Sequence, residues 1–155
     1  MDTLTDLQVS IDVSASPSEA FDKVCQVREW WTKDIEGETS GLGAEFRVTF
    51  GTTFVDFRIS NFVPDETVSW FVTNSELPWL KDKTEWTGTT VQIDVIPTDA
   101  GSKITLTHHG LHPNVECFEG CKEGWEFFVV KSLPRLIATG VGLPGVPNSE
   151  RETYE

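Results

Sequence analysis

In five stretches between residues 46 and 109 apolar side chains return at every second position. A chain patterned this way folds as an antiparallel sheet with one face covered and one face wet. "FRVTF" (46–50) places Phe46, Val48 and Phe50 together. "FVDFRISNFV" (54–63) places Val55, Phe57 and Ile59 opposite Asp56, Arg58 and Ser60. "TVSWFVTN" (67–74) aligns Val68, Trp70 and Val72. "TEWTGTTVQIDVIP" (84–97) reads as one long strand with Val91, Ile93 and Val95 on a shared face, and Gly88 marks a place for a bulge that changes register. "KITLTHH" (103–109) puts Ile104, Leu106 and His108 on one side. An earlier strand, "LQVSIDVSA" (7–15), alternates in the same way.

So many one-sided strands need a cover, and only one segment is long enough to supply it. "EGCKEGWEFFVVKSLPRLIATG" (119–140) has helical spacing through Cys121, Trp125, Phe128, Val129, Ser132, Leu136 and Ile137. Twenty helical residues span about 30 Å. Pro134 lies inside this run and predicts a kink, because proline removes one backbone hydrogen bond. Ser16 and Pro17 start a short helix through Ala20, Phe21 and Val24, and "CQVREWWTKDI" (25–35) continues as a second short helix or a turn. The expected fold class is α+β: about six antiparallel strands curved round one long C-terminal helix, with two short helices after the first strand. A curved sheet round a kinked helix leaves space between them, and that space is the expected pocket.

The chain has 155 residues, suited to one domain, expected over 1–142 with a flexible tail over 143–155. Ten Phe and six Trp against one Tyr favour a bulky interior with few polar atoms. A net charge of −13 with no Lys/Arg cluster argues against nucleic acid and against an anionic membrane as partners. The N-terminus has no signal-peptide pattern, no apolar run approaches about 20 residues, and three cysteines suit a reducing compartment; a cytoplasmic location follows as the expectation.

The order of elements, with "VREWW", "TEWTGT", "LTHHGL", "CFEGCKEGW" and "SLPRLIATG", resembles the helix-grip fold of the START/SRPBCC superfamily. These motifs are similar to the branch named for the activator of the heat-shock chaperone's ATPase, the AHSA-like branch. The likeness runs from Leu7 to Gly142. It implies a domain that holds a hydrophobic or amphipathic small molecule in the grip cavity. Some members of the superfamily cyclise, dehydrate or hydrolyse such ligands. The co-chaperone that names the branch carries a large N-terminal domain, for which the residues before Leu7 leave no room, so chaperone activation is not expected here.

The candidate ligand-binding residues are Phe50, Phe57, Trp70, Glu85, Leu106, His108, Trp125 and Phe128. The rings offer a cavity wall, or plain core. His108 shares the face of Ile104 and Leu106, as a polar group oriented at a ligand or as a core histidine bonded to its neighbours. Glu85 faces inward with Thr87 and Thr89 if the strand runs without a bulge; with a bulge at Gly88, Trp86 faces in instead. Trp79 and Leu80, in the loop "SELPWLKDK" (75–83), form a gate or fold back into the core. His108, His109, His112, Cys117 and Cys121 match no standard zinc spacing, so no metal and no cofactor is expected. A Cys117–Cys121 disulfide requires Cys117 to precede the helix. Three functions follow from these residues. One is a binding module for a small apolar molecule. The second is an enzyme, cyclase- or hydrolase-like, using an inward acid–base pair such as His108 with Glu85. The third is a protein-interaction module of co-chaperone-like kind, presenting Trp79 and Leu80. A homodimer is compatible with each.

Overall fold

A computed structural model of the chain describes residues 6–50, 52–112, 116 and 118–145. Its strands are β1 (Leu7–Val13), β2 (Ile35–Gly37), β3 (Glu45–Phe50), β4 (Thr53–Val63), β5 (Thr67–Glu76), β6 (Thr90–Thr98) and β7 (Gly101–His109). They form one antiparallel sheet in the order β1-β7-β6-β5-β4-β3-β2. The core face is the one that alternation predicts: Phe46 and Val48, Val55, Phe57 and Ile59, Val68, Trp70 and Val72, Val91, Ile93 and Val95, and Ile104, Leu106 and His108 are all buried. β4 slips register against β5 between Asp56 and Phe57 and again between Ile59 and Asn61. Each slip bends the strand, which curves the sheet towards its apolar side.

Two short helices, α1 (Pro17–Cys25) and α2 (Val27–Trp30), link β1 to β2. The Ser16 hydroxyl accepts from the Glu19 amide and caps α1, with Pro17 at its first turn. Trp30 and Trp31 are both buried, although neighbours on a regular helix cannot share one direction. α2 ends at Trp30, and Trp31 follows as its cap, so the two indoles stack at 6.5 Å between centroids.

The cover is the C-terminal helix, in three pieces: α3 (Phe118–Phe127), a π-helical turn (Phe128–Ser132) and α4 (Leu133–Thr139). It lies on the concave face, with Trp125 against Trp86 and Phe128 against Phe50. The expected kink at Pro134 takes the form of this wide turn. Proline has no amide to offer the preceding turn, and the Leu133 amide reaches back to the Phe128 carbonyl to close the π-helical turn.

Ser132 ties the helix to what surrounds it. Its hydroxyl donates to the Trp30 carbonyl at 2.6 Å and accepts the Leu143 amide at 2.7 Å, with no exposure to solvent. The Gly145 amide then donates to the Trp31 carbonyl, so 143–145 pack against α2; residues 146–155 of the expected tail lie outside the described residues. Gly142 permits the approach, since a side chain there would overlap the Glu29 carbonyl oxygen. Ser132→Ala strands a buried carbonyl and a buried amide. The expected cost is about 2 kcal/mol in urea unfolding, with amide exchange at Leu143 and Gly145 accelerated. Unchanged exchange at both amides would show that Ser132 does not hold this segment.

Candidate functional site: an aromatic cavity under the C-terminal helix

Between the helix and the β3–β4 end of the sheet lies a cavity of about 200 Å³. Its rings are Trp31, Phe50, Trp79, Trp86, Trp125 and Phe128. Val48, Val55 and Leu77 fill the gaps between them, Thr53 adds a hydroxyl, and Gly120, Cys121 and Gly124 supply the helix side. It opens to solvent beside Phe50, which is 36% exposed, and Trp79, which is 56% exposed.

Gly120 and Gly124 are four apart on α3, so both point the same way. Interior glycine weakens a helix by about 1 kcal/mol relative to alanine. Here the missing side chains leave room. A Cβ at Gly120 would touch only the Trp79 ring, at 3.8 Å, and one at Gly124 would meet no atom within 4 Å. The loop between β5 and β6 brings Trp79 and Trp86 to the mouth. In sequence its second half reads as strand, because Thr84, Trp86, Thr87 and Thr89 are good strand formers. Instead the Asp82 carboxylate accepts both the amide and the hydroxyl of Thr84, and consecutive turns run on to Thr89. Strand β6 therefore starts at Thr90, not at Thr84. Gly88, at φ 88°, donates to the Val72 carbonyl while the Val72 amide donates to Thr89, two residues facing one as in a bulge.

That turn decides between Glu85 and Trp86. Trp86 is buried, edge-on to His108 at 4.6 Å and stacked on Trp125 at 6.1 Å. Glu85 sits in the loop, where its carboxylate accepts the Glu116 amide. Of the two alternatives, the one with Trp86 inward holds, and the inward Glu85–His108 pair does not form. Leu80 folds into the core and Trp79 stays out, so the apolar pair of this loop is split.

His108 lies behind the cavity wall, with no exposure. Its Nδ1 accepts the Trp125 indole N–H at 3.1 Å. Its Nε2 stands 2.9 Å from the Thr89 hydroxyl, which itself lies 2.7 Å from the Trp86 carbonyl. The hydroxyl has one proton and gives it to that carbonyl, so His108 carries its proton on Nε2 and donates to Thr89. A chain of donors thus runs from the Trp125 indole through His108 and Thr89 to the backbone carbonyl of Trp86, tying the Trp125 ring to the turn that carries Trp86. Burial pushes the His108 pKa down to about 3, so the ring is neutral.

Of the other sequence candidates, Phe50, Trp125 and Phe128 line the cavity, while Phe57, Trp70 and Leu106 are core residues behind it. Trp70 stacks on Trp31 at 6.0 Å and 5°. Its indole N–H is buried with no acceptor. Trp79, read from sequence as a gate, and Trp86, the alternative to Glu85, line the cavity; Trp31, Thr53, Gly120 and Gly124 line it too and were not candidates. Two glycines at i and i+4 in a helix were the legible signal; for Trp31 there was none, because the turn after α2 aims it. His109 faces the other side of the sheet, bonded to Gln92. The Cys25 thiol is free, and burial pushes it up to about 11. Cys121 is disulfide-bonded, against the expectation of reduced cysteines; α3 begins at Phe118, and Cys117 lies outside the described residues. Among the described residues no helix is long and apolar enough to cross a membrane.

No family model matches this sequence, and no curated protein does. Solved structures match closely in shape. The Aha1 dimer from Colwellia psychrerythraea superimposes with a TM-score of 0.72 at 22% identity, over 88% of this chain and 98% of that one. Protein MLL2253 from Mesorhizobium loti gives 0.70 at 18% identity, over 88% and 98%. DynU16, from the dynemicin biosynthetic locus, gives 0.63 at 20% identity over 88% of this chain, which spans 48% of its length. Identities this low speak for shape and not for activity. Seven antiparallel strands closed round a C-terminal helix, in the arrangement these proteins share, give this chain a helix-grip fold.

Proposed function

We propose that this protein binds a small, predominantly apolar molecule in the cavity between sheet and C-terminal helix, and releases it unchanged. The observation that carries this reading is the vacancy at Gly124. A long helix keeps a glycine where an added Cβ would meet no atom within 4 Å, at a cost in helix stability, beside six aromatic rings. The size suits a compact ligand, since the cavity is smaller than the roughly 300–1,000 Å³ typical of drug-sized sites. Binding without turnover is favoured by the chemistry of the wall. The inward histidine has both nitrogens committed to Trp125 and Thr89 and is neutral, so it offers a ligand neither a free base nor an acid. Trp79 at the mouth serves as the gate.

A titration with 3,3-dimethylbutan-1-ol tests the reading, because that alcohol is neutral, compact and optically silent. Saturable shifts of the indole N–H resonances of Trp31 and Trp86 are expected, with a dissociation constant in about the millimolar range or below. Linear, unsaturable shifts with no preference for these two indoles would overturn it.

A further inference from the structure

The charge of the ligand follows from what the cavity wall holds and what it lacks. We infer that the cavity selects an organic cation of the quaternary ammonium kind over a neutral or anionic molecule of the same shape. This rests on the proposed binding role and adds the chemical class of the ligand.

Six rings line a space of about 200 Å³. An aromatic face carries partial negative charge, and a cation over it is attracted, more so where water is excluded. Trp125 gives its indole N–H to His108, so it presents the cavity with ring surface and not with a donor. No Lys, Arg or charged His stands among the described lining residues, so nothing there repels a cation or pairs with an anion. His108 behind the wall is held neutral by burial, which keeps positive charge away from the site.

The surroundings have the same sign. The two segments framing the mouth, 76–85 and 116–126, carry seven acids and three lysines. Glu119 and Glu123 alternate with Gly120 and Gly124 on the helix and are exposed. A net charge of −13 adds a long-range field that draws cations in and turns anions away. The missing hydrogen-bond acceptors narrow the class further. Among the described lining side chains Thr53 supplies the one hydroxyl and none supplies a carboxylate. A primary ammonium would lose the water bonded to its three N–H groups and find too few acceptors. A quaternary ammonium has no N–H to satisfy, and its charge is spread over methyl groups that pack against rings.

Choline and 3,3-dimethylbutan-1-ol have the same shape and differ by the charge, and 3,3-dimethylbutanoate reverses its sign. Titrating each into the full chain while following the indole N–H resonances separates the effects. Choline is expected to bind about tenfold tighter than the alcohol, and the carboxylate weaker than both. The choline shifts at Trp31 and Trp86 are expected to vanish in Gly124→Phe. Alcohol binding equal to or tighter than choline overturns the charge selection and leaves the apolar-cavity reading standing. Binding by none of the three overturns both. Choline binding that survives Gly124→Phe places the cation on the acidic surface and overturns the inference.

Discussion

Gly124→Phe is expected to lower the affinity for any cavity ligand by at least about 100-fold while leaving the protein folded. The added ring starts from a Cβ that meets nothing within 4 Å and extends into the space walled by Trp86, Trp125 and Phe128. Filling that space removes the ligand's volume and most of its contacts, and a hundredfold corresponds to about 2.7 kcal/mol. The helix gains from the exchange, since glycine is the poorer helix former by several tenths of a kcal/mol, and the new ring buries apolar surface. The measurement pairs a ligand titration with thermal unfolding. Affinity should fall while the melting temperature holds or rises. A variant that binds as well as the parent would move the site away from this cavity. Gly124→Ala is the graded control, with a stabilisation of up to about 1 kcal/mol and a smaller loss of affinity.

His108→Leu is expected to destabilise the protein by about 3 kcal/mol at pH 7 and by clearly less at pH 4.5. At neutral pH the substitution strands the Trp125 indole N–H and removes the partner of the Thr89 hydroxyl, each a loss of about 1–3 kcal/mol where buried. The pH term has the opposite sign. The folded-state pKa of His108 is near 3, against about 6.5 in an unfolded chain. Below pH 6.5 the unfolded chain takes up a proton that the folded protein refuses. The parent therefore loses stability as pH falls, by about 1.4 kcal/mol per unit towards pH 3. The variant lacks this group, so its curve is shallower and the two converge in acid. Urea unfolding of both proteins at pH 7, 6, 5 and 4.5 gives the comparison. Parallel curves would mean that His108 is not buried and neutral. In the variant the Trp125 indole N–H resonance should also broaden, because His108 is its acceptor.

These two residues differ in how far they could be read in advance. The inward position of His108 follows from alternation alone, since β7 places side chains 104, 106 and 108 on one face. Its isolation from any ligand does not follow. It depends on Trp125 arriving from a helix 17 residues later and on Thr89 arriving from the neighbouring loop. The segment 84–89 misleads for a physical reason: threonine and tryptophan favour strands, and one carboxylate, Asp82, outweighs them by bonding the Thr84 amide and hydroxyl. Gly88 was legible as an irregularity. Whether it turned Glu85 or Trp86 inward depended on how many residues the irregularity absorbed.

Local patterning alone determined the two-sided strands, their inward faces, the single covering helix and its break near Pro134, because side-chain periodicity is a property of neighbours in the chain. Only the tertiary structure decided where the helix fails to fill the hollow, which indoles border the gap and which nitrogen of His108 holds the proton. Those are set by side chains that meet across the sheet from distant segments, and no short window of sequence contains both partners of such a contact.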